Sequence, residues 1–162
     1  MTVSVRPAFH YDAAGMAEIL NQIIQVGGTT AMQKPTVPSV LIGWMDAHQG
    51  KNGWHVAETP EKQIVGFQFF EPNKKLPVEA CDIASFVRIG VAKMGIGTRL
   101  FAATQIAARK VGYRWINATI RSDNEGGLAY YASLGFETWR ADGDIPLSDG
   151  TLVDRVSKRF TL

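Results

Sequence analysis

Two glycines separated by one residue, Gly95 and Gly97, follow a predicted strand at 80–87 and precede a predicted helix at 98–111. A strand, a glycine turn and a helix leave backbone N–H groups free at the helix N-terminus, where the positive end of the helix dipole attracts phosphate. Glycine lets the backbone approach such a ligand closely because it has no Cβ. The turn therefore predicts a site for a phosphate-bearing ligand, although a glycine-rich helix entry without a ligand fits the two glycines equally well.

Two phosphate motifs are excluded at this turn. A P-loop requires Lys and then Ser or Thr after its second glycine, whereas Gly95 is followed by Ile96 and Gly97. A dinucleotide fingerprint requires a third glycine where this chain has Leu100. It also requires an acidic residue about 20 positions later, and Trp115 and its neighbours provide none.

Positive charge is concentrated in the segment that contains the turn. Residues 83–122 contain no Asp or Glu, and they carry seven basic residues: Arg88, Lys93, Arg99, Arg109, Lys110, Arg114 and Arg121. The segment is therefore +7 while the whole chain is +2, so the remaining residues sum to −5. Such a block fits a solvated helix face, but next to a glycine turn it suggests an anionic ligand.

A second group of residues lies in the predicted helix after strand five. Asn124 stands at its start and Tyr131 near its end, and because they are seven residues apart, two helical turns, they share one face. Tyr130 points about 100° away. The spacing predicts that Asn124 and Tyr131 act on the same side of the helix, while helix capping by Asn124 and core packing by Tyr131 remain open alternatives.

Hydrophobic periodicity and turn signals predict the elements that position these residues. We predict strands at 3–6, 53–58, 63–70, 80–87 and 115–120, a sixth after Gly135 and a last one at 152–160. We predict helices from Asp12 to Gly27, over 35–48, over 98–111, and from residue 123 or 124 to Leu134. This order indicates a mixed α/β sheet that is not doubly wound, in one domain over residues 1–162.

Composition limits the class of protein. The 162 residues are 46% hydrophobic and 20% charged, which is typical of one globular domain. A net charge of +2 is too small to make nucleic acid or an anionic membrane the main partner. One cysteine, Cys81, excludes an internal disulfide, and neither it nor the three histidines show metal-ligand spacing, so we expect no metal. Without a signal-type or bilayer-length apolar segment, we expect a cytoplasmic protein.

Together these segments resemble the GNAT superfamily of N-acetyltransferases. Its acyl-CoA motif is a strand ending in Val, followed by x-Pro-x-x-Arg/Gln-x-x-Gly-x-Gly/Ala. Here Val87 ends the strand, and Gly95 and Gly97 match the two small residues. Two positions depart from the motif, because Ile89 replaces the proline and Ala92 replaces Arg or Gln.

The resemblance covers nearly the whole chain. Asn124 and Tyr131, followed by Gly135 and Phe136, match the family's second coenzyme-side motif. The beginning, VSVRPAFHYDAAGMAEILNQII, and the ending, GTLVDRVSKRFTL, are similar to the phosphinothricin/methionine sulfoximine acetyltransferase branch. The resemblance implies an α/β (α+β) GNAT fold, in which a central, mixed and mostly antiparallel sheet of six to seven strands is flanked by about four helices and splays at strands four and five.

The resemblance also implies acetyl-CoA as the cosubstrate. The amides of residues 93–98 would hold its pyrophosphate, and its pantetheine would pair with the backbone near Phe86 and Arg88. Val87 or its neighbour would donate an N–H to the thioester carbonyl. The candidate cofactor-binding residues are Phe86, Val87, Arg88, Lys93, Met94, Gly95, Ile96, Gly97, Thr98, Asn124 and Tyr131.

Acetyl transfer to an amine needs a proton acceptor and a proton donor, because an amine with a pKa near 10.4 is almost wholly protonated at pH 7. The branch often has Glu five residues before the strand-ending Val, where this chain has Asp82, our first candidate for the base. Glu71 is the second. An Asp of ordinary pKa is a poor base, so Asp82 would need burial, a water relay or a role limited to binding the ammonium. Tyr131 falls where the family has its general acid, which protonates the departing thiolate.

The family's acceptor pocket lies opposite the coenzyme. In this chain it would involve Thr29, Thr30, Phe69, Glu71 and Arg140, with the threonines and the arginine available for a carboxylate. We expect a small amino-acid-like amine as the substrate and a homodimer as the assembly. The alternatives are a protein N-terminus, lysine or polyamine as acceptor, and a catalytically silent acyl-CoA-binding homologue. A closed pocket with an arginine would favour the small molecule, and an open acidic groove would favour the larger acceptors.

Overall fold

The computed structural model describes residues 2–91 and 95–162 and has seven strands and four α-helices in those ranges. The strands are β1 (Ser4–Pro7), β2 (Gly53–Glu58), β3 (Ile64–Glu71), β4 (Ala80–Val87), β5 (Trp115–Arg121), β6 (Glu137–Pro146) and β7 (Leu152–Thr161). The helices are α1 (Ala13–Val26), α2 (Pro38–Ala47), α3 (Ile96–Val111) and α4 (Glu125–Ser133), and a 3₁₀ turn at His10–Asp12 precedes α1. In the described ranges no helix is both long and apolar enough to cross a membrane.

The strands form one sheet in the order β1-β2-β3-β4-β5-β7-β6. Every neighbouring pair is antiparallel except β4 and β5, which are parallel. That parallel pair is short: its last matched residues are Asp82 and Asn117, and the strands separate beyond them. The structure therefore confirms the prediction of a mixed, mostly antiparallel sheet that splays between strands four and five.

Helices cover the sheet on both faces, and side chains alternate between the faces along each strand. On the α1 face, α1 and α2 pack on β2 and β3 around Met16, Leu41 and Phe67. On the α3 face, α3 and α4 pack on β4 and β5 around Phe101 and Ile116.

The burial of the central strand β3 on both faces explains why this strand is predicted from its sequence. A strand with helices on both faces is apolar throughout rather than at alternate positions. Residues 64–70 are all buried, and the only strongly polar one among them is Gln68, which is fully enclosed. A buried amide in an apolar strand needs hydrogen-bond partners, and Gln68 finds them on the α3 face.

Candidate active site

The separation of β4 from β5 leaves backbone groups of β4 facing the gap. In an antiparallel pair, successive residues point their N–H and C=O groups alternately toward and away from the partner strand. The Arg88 N–H donates to the Val65 carbonyl on the β3 side at 2.8 Å. Val87, the preceding residue, therefore directs its N–H toward the gap. This is the orientation that the predicted donor to a thioester carbonyl requires. The Arg88 amide, in contrast, is already bonded to the neighbouring strand β3.

The N-terminus of α3 opens beside the gap. Gly95 has φ 69°, a left-handed conformation that favours glycine, and the helix begins at Ile96, two residues earlier than predicted. The first intrahelical bond is the Arg99 N–H donating to the Gly95 carbonyl at 3.0 Å. The N–H groups of residues 96–98 precede that bond and point out of the helix end. Lys93 and Met94, also predicted to bind the coenzyme, lie outside the described residues.

Gly97 also has a packing role that the sequence did not predict. A Cβ at this position would lie 2.6 Å from Cε1 of Tyr130. The Tyr130 hydroxyl donates to the Gly97 carbonyl at 2.8 Å. The glycine therefore makes room for a tyrosine ring from α4, rather than only for an approaching ligand.

The positive segment is not gathered at the turn. Arg109 and Lys110 lie in the last turn of α3, about 20 Å from its start by helix geometry. Arg88 forms an ion pair with a glutamate of α1 at 2.6 Å, and Arg121 forms one with Asp123 at 2.8 Å. The segment runs through β4, α3 and β5, so folding spreads its charges over both ends of the molecule. The sum of +7 was therefore weak support for an anionic site.

A buried hydrogen-bond network lies on the α3 face beside the gap. The Thr104 hydroxyl donates to Gln68 Oε1 at 2.6 Å, and both side chains are fully buried. Gln68 Nε2 donates to Ser85 Oγ at 2.7 Å and to the Tyr130 hydroxyl oxygen at 3.0 Å. The Ser85 and Tyr131 hydroxyl oxygens are 2.8 Å apart. The network thus joins α3, β3, β4 and α4 at the predicted general acid.

Both tyrosines of α4 reach this network, although the helix separates them by about 100°. Their ring centroids are 4.8 Å apart. Burial raises the pKa of Tyr130 to about 12, against hydrogen bonds that lower it. Burial also raises the pKa of Tyr131, and the Ser85 hydrogen bond opposes that rise. Both side chains therefore keep their protons at neutral pH, and each can act as a donor.

Asp82 lies on the α1 face at the start of the gap. Its Oδ1 accepts from Asn117 Nδ2 at 2.9 Å, and its Oδ2 accepts from Asn73 Nδ2 at 3.2 Å. Burial raises the pKa of Asp82 in spite of these bonds. Glu71 lies directly opposite on β3, and burial together with the charge of Asp82 raises its pKa as well, while His48 lowers it. Asp82 therefore has the burial that an aspartate needs in order to act as a base.

Trp139 reaches this group through an irregularity in β6. The register of β6 with β7 shifts between Thr138 and Arg140, so Trp139 is an extra, unmatched residue. A bulge of this kind redirects a side chain. Trp139 Nε1 donates to Asn117 Oδ1 at 2.9 Å, which leaves the Asn117 amide nitrogen to face Asp82.

The other predicted substrate residues do not all lie together with Asp82 and Glu71. Phe69 is stacked on Trp54 with ring centroids 3.9 Å apart, as part of the core. The Thr30 hydroxyl accepts from the Met32 N–H at 3.2 Å. The structure does not bring Arg140 to this group, because its exposed guanidinium is held by its own strand neighbour Asp142 at 3.1 Å.

Asn124 acts as the helix cap of α4. Its Oδ1 accepts from the Gly127 N–H at 2.9 Å, and its Nδ2 donates to the Thr29 carbonyl at 3.2 Å. The capping alternative is thus present in the structure. Contact with a coenzyme remains a prediction.

A cavity of about 500 Å³ lies on the α1 face between the loop after α1 and the β6–β7 turn. Arg121 enters it from β5 and donates to the Thr30 carbonyl at 3.2 Å. The wall consists of Ile24, Gly27, Gly28, Thr30, Met32, Gln33, Lys34, Arg121, Ser148 and Asp149. The arginine in the wall of this cavity is Arg121, and Arg140 is not among the lining residues.

Comparison with known proteins decides the family. The sequence model of the Acetyltransferase (GNAT) family matches residues 18–136. The chain belongs to the GNAT acetyltransferase family. Among curated relatives, it is similar to the phosphinothricin N-acetyltransferase of Streptomyces viridochromogenes, with 25% identity over 146 residues that cover 87% of this chain and 79% of the relative.

Solved GNAT structures share the fold. A phosphinothricin acetyltransferase from Sinorhizobium meliloti, solved in complex with acetyl-CoA, superposes with a TM-score of 0.88 at 19% identity, over 100% of this chain and 89% of that one. A ribosomal-protein-alanine N-acetyltransferase from Brucella melitensis has a TM-score of 0.88 at 20% identity, over 98% and 99%. The two are named for different acceptors, so the fold leaves the acceptor open. This chain is a GNAT acetyltransferase, and the resemblance inferred from its sequence is confirmed.

Several polar residues of the candidate site were not predicted from the sequence. Gln68 left a signal, a polar residue inside the most apolar strand, and Arg121 appeared only as one charge among seven. Asn117 and Ser85 stand in strands among ordinary neighbours, and Trp139 depends on a bulge that its sequence does not mark. In the described ranges no group of three or more His, Cys, Asp or Glu residues could hold a metal ion.

Proposed function

We propose that this GNAT acetyltransferase moves the acetyl group of acetyl-CoA directly to the primary amine of a small amino-acid-like substrate of the phosphinothricin or methionine sulfoximine type. The observation that carries the proposal is the arrangement across the gap in the sheet. Asp82 and Glu71 lie on the α1 face, and Tyr131 lies on the α3 face. Transfer from a thioester to an amine needs a proton acceptor on the amine side and a proton donor on the sulfur side.

The donor groups on the coenzyme side fit acetyl-CoA. The N–H groups of residues 96–98, at the positive end of α3, suit a phosphate. The Val87 N–H, directed into the gap, suits the thioester carbonyl, and one such donor is typically worth about 2.7–4 kcal/mol in the transition state. In this proposal Phe86, Val87 and Arg88 line the pantetheine path, and Asp82 receives the amine proton directly or through water.

The charges on the α1 face support a zwitterionic acceptor. Lys34 and Arg121 stand in the cavity wall with the single carboxylate of Asp149. Because Arg121 is paired with Asp123 outside the wall, a substrate carboxylate would compete with Asp123 for it. Asn117 and Arg121 share one face of β5 four residues apart, about 13 Å along the strand, so the cationic end of the site is distant from Asp82. A carboxylate at the cationic end and an ammonium near Asp82 match this polarity. The names of the phosphinothricin acetyltransferase relatives support the same substrate class.

Release of coenzyme A thiol from acetyl-CoA, measured with a panel of amines, tests the proposal. Phosphinothricin and methionine sulfoximine should accelerate thiol release, and N-acetyl methionine sulfoximine, whose amine is blocked, should not. Faster release with spermidine or with a peptide bearing a free N-terminal alanine would favour the larger acceptors instead. Thiol release that no amine accelerates, together with tight acetyl-CoA binding, would identify a silent homologue.

Two arginine variants distinguish the observed cavity from the sequence-based expectation. Arg121→Met should raise KM for the amino acid about 10-fold or more, because a charged hydrogen bond to its carboxylate is lost, with a smaller effect on KM for acetyl-CoA. Arg140→Met should change KM for the amino acid little, since its guanidinium is exposed and bonded to Asp142. A larger effect from Arg140→Met would return the carboxylate site to β6.

We further propose that residues 1–162 form a single acetyltransferase domain that acts as a homodimer. The outer strand β6 is exposed over most of its length, which leaves a sheet edge available for a second copy. Analytical ultracentrifugation should give twice the chain mass of 17.7 kDa. Sedimentation at the mass of one chain, at micromolar concentration, would contradict the dimer.

A further inference from the structure

The donors and acceptors of the network on the α3 face are fixed from the Gly97 carbonyl as far as Ser85. The Gly97 carbonyl can only accept, so the Tyr130 hydroxyl must donate its proton there, over 2.8 Å. The Tyr130 oxygen then accepts from Gln68, 3.0 Å away, which turns the amide nitrogen of Gln68 toward it. The Gln68 oxygen is left to accept from the Thr104 hydroxyl at 2.6 Å. A backbone carbonyl in α3 thus sets the direction of the bonds that Tyr130 and Gln68 make.

The same amide also bonds Ser85. Gln68 Nε2 donates its second proton to Ser85 Oγ at 2.7 Å. The Ser85 and Tyr131 hydroxyl oxygens are 2.8 Å apart, and either can donate to the other. Because Ser85 Oγ already accepts from Gln68, donation from Ser85 to Tyr131 is the direction that leaves the Tyr131 proton free for a different acceptor.

We propose that Ser85 is a positioning residue for acetyl transfer: its hydroxyl donates to the Tyr131 oxygen, directs the Tyr131 proton at the departing sulfur, and stabilises the phenolate that remains. The inference rests on the proposed function, in which Tyr131 is the general acid. Gln68 holds Ser85 in the donating orientation, and Thr104 and Tyr130 hold Gln68.

The step balances with the groups present. The substrate nitrogen bonds to the acetyl carbon, the C–S bond breaks, and its electron pair goes to sulfur. The Tyr131 O–H proton also goes to sulfur and gives the free thiol, while the phenolate accepts the hydrogen bond of Ser85. Two protons leave the substrate nitrogen for solvent through Asp82, one from the ammonium before attack and one after the N–C bond has formed, and the phenolate regains one proton from solvent. The products are an amide, a thiol and one released proton.

Steady-state kinetics of Ser85→Ala, with methionine sulfoximine as the amine, test the role of Ser85. We expect kcat to fall about 10- to 100-fold, the usual effect of losing a hydrogen bond to a developing charge, while KM for acetyl-CoA changes little. Ser85→Thr keeps the hydroxyl and should restore most of the rate. Ser133→Ala removes an exposed α4 hydroxyl bonded only to the Tyr130 carbonyl, so it serves as the matched control with an unchanged rate.

A double-mutant comparison separates positioning from simple packing. Tyr131→Phe should lower kcat at least about tenfold, and Ser85→Ala combined with Tyr131→Phe should be no slower than Tyr131→Phe alone. Additive losses would mean that Ser85 acts independently of Tyr131 and would overturn the inference. If Ser85→Ala keeps the full rate while Tyr131→Phe is slow, the inference about Ser85 is overturned and the proposed function stands. A full rate in Tyr131→Phe would remove the general acid from the proposed function as well.

A measurement without turnover reads the hydrogen bond directly. 3,5-Difluorotyrosine placed at position 131 ionises nearer to neutral pH than tyrosine, and ¹⁹F NMR follows its titration. Ser85→Ala should raise the pKa of this residue by about 1, because its phenolate loses a donor. An unchanged titration would show that Ser85 does not donate to residue 131, whichever amine the enzyme accepts.

Discussion

At Asp82, the proton acceptor of the proposed mechanism, the surroundings raise the pKa of the carboxyl. Its pKa in a peptide would be about 3.9, too low for efficient proton transfer at pH 7. Burial raises that pKa, and the hydrogen bonds from Asn117 and Asn73 limit the rise. The balance gives a carboxylate that holds a proton more firmly than an exposed Asp and is oriented by two amides.

The acidic side of the pH profile should therefore respond to Asn117. Asn117→Leu removes a hydrogen bond that lowers the pKa of Asp82, so this pKa should rise further. Because the ionised form accepts the proton, activity is lost as pH falls through this pKa. The acidic limb of kcat/KM for methionine sulfoximine should accordingly move to higher pH.

Two variants check the assignment of that limb to Asp82. Asp82→Asn should abolish the limb and lower kcat about 10²- to 10⁴-fold, the range for loss of a general base. Thr119→Val removes a neighbour of Asn117 that has no bond to Asp82, so its limb should stay where it is. A limb that stays in place in Asn117→Leu would mean that another group controls it.

At the scale of elements, α4 packs against α3 at Gly97, where the absence of a side chain makes room for the Tyr130 ring. The second residue of α3, Gly97, lies against the ring of Tyr130, which is fixed by hydrogen bonds to the Gly97 carbonyl and to Gln68. Gly97→Ala should therefore push the ring away, at a cost of about 1–3 kcal/mol in the free energy of unfolding, as overpacking typically does. It should also lower kcat, since Tyr130 helps to hold the network at Tyr131.

The second residue of α4 provides the matched control. A Cβ at Gly126 would meet nothing closer than Asn124 Oδ1 at 3.9 Å. Gly126→Ala should thus stabilise the protein by about 0.5–1 kcal/mol, because alanine is the better helix former. Urea denaturation measures both variants. Equal effects of the two substitutions would contradict the close contact at Gly97.

The elements themselves were largely predictable, while the contacts between them were not. Hydrophobic periodicity gave every strand, and α2, predicted over 35–48, is observed at Pro38–Ala47. Short-range patterns cannot show that Trp139 leaves the register of β6 to reach Asn117, because a bulge depends on the partner strand. Helix geometry likewise predicts that Tyr130 and Tyr131 point about 100° apart, and it cannot show contacts with other elements. Packing of Tyr130 on Gly97 brings both hydroxyls to one network.

At the scale of the whole molecule, Arg6 connects the first strand to the start of α1 and to β2. Arg6 of β1 forms two bonds of 2.8 Å to Asp12 before α1 and two of 3.2 Å to Glu58 of β2. Burial would raise the pKa of Asp12, but the bonds from Arg6 and from the Phe9 amide outweigh it and lower that pKa. The Arg6 hydrogen bonds lower the pKa of Glu58 against its burial.

These shifts predict how stability depends on pH. Unfolded Asp and Glu have pKa values of about 3.9 and 4.3, and the folded values of Asp12 and Glu58 are lower. The stabilisation is therefore complete above the unfolded values and is lost as pH falls through the folded ones. Urea denaturation of the unaltered protein should show stability decreasing as the pH is lowered below about 4.5.

Arg6→Met should weaken this dependence. Without the guanidinium, Asp12 keeps the Phe9 amide at 2.8 Å and Glu58 keeps Lys62 at 3.6 Å, while both carboxylates, 6% and 5% exposed, lose their main partner, which typically costs about 3–5 kcal/mol at neutral pH. Both pKa values should then rise toward their unfolded values, so less stability is lost as pH falls. In urea the variant should be less stable than the unaltered protein at pH 7, and the difference should shrink as the pH is lowered below about 4.5, whereas Arg140→Met, which breaks only an exposed pair, should stay within about 0.5 kcal/mol of the unaltered protein. If Arg6→Met instead kept the original pH dependence, the low pKa values of Asp12 and Glu58 would have a source other than Arg6.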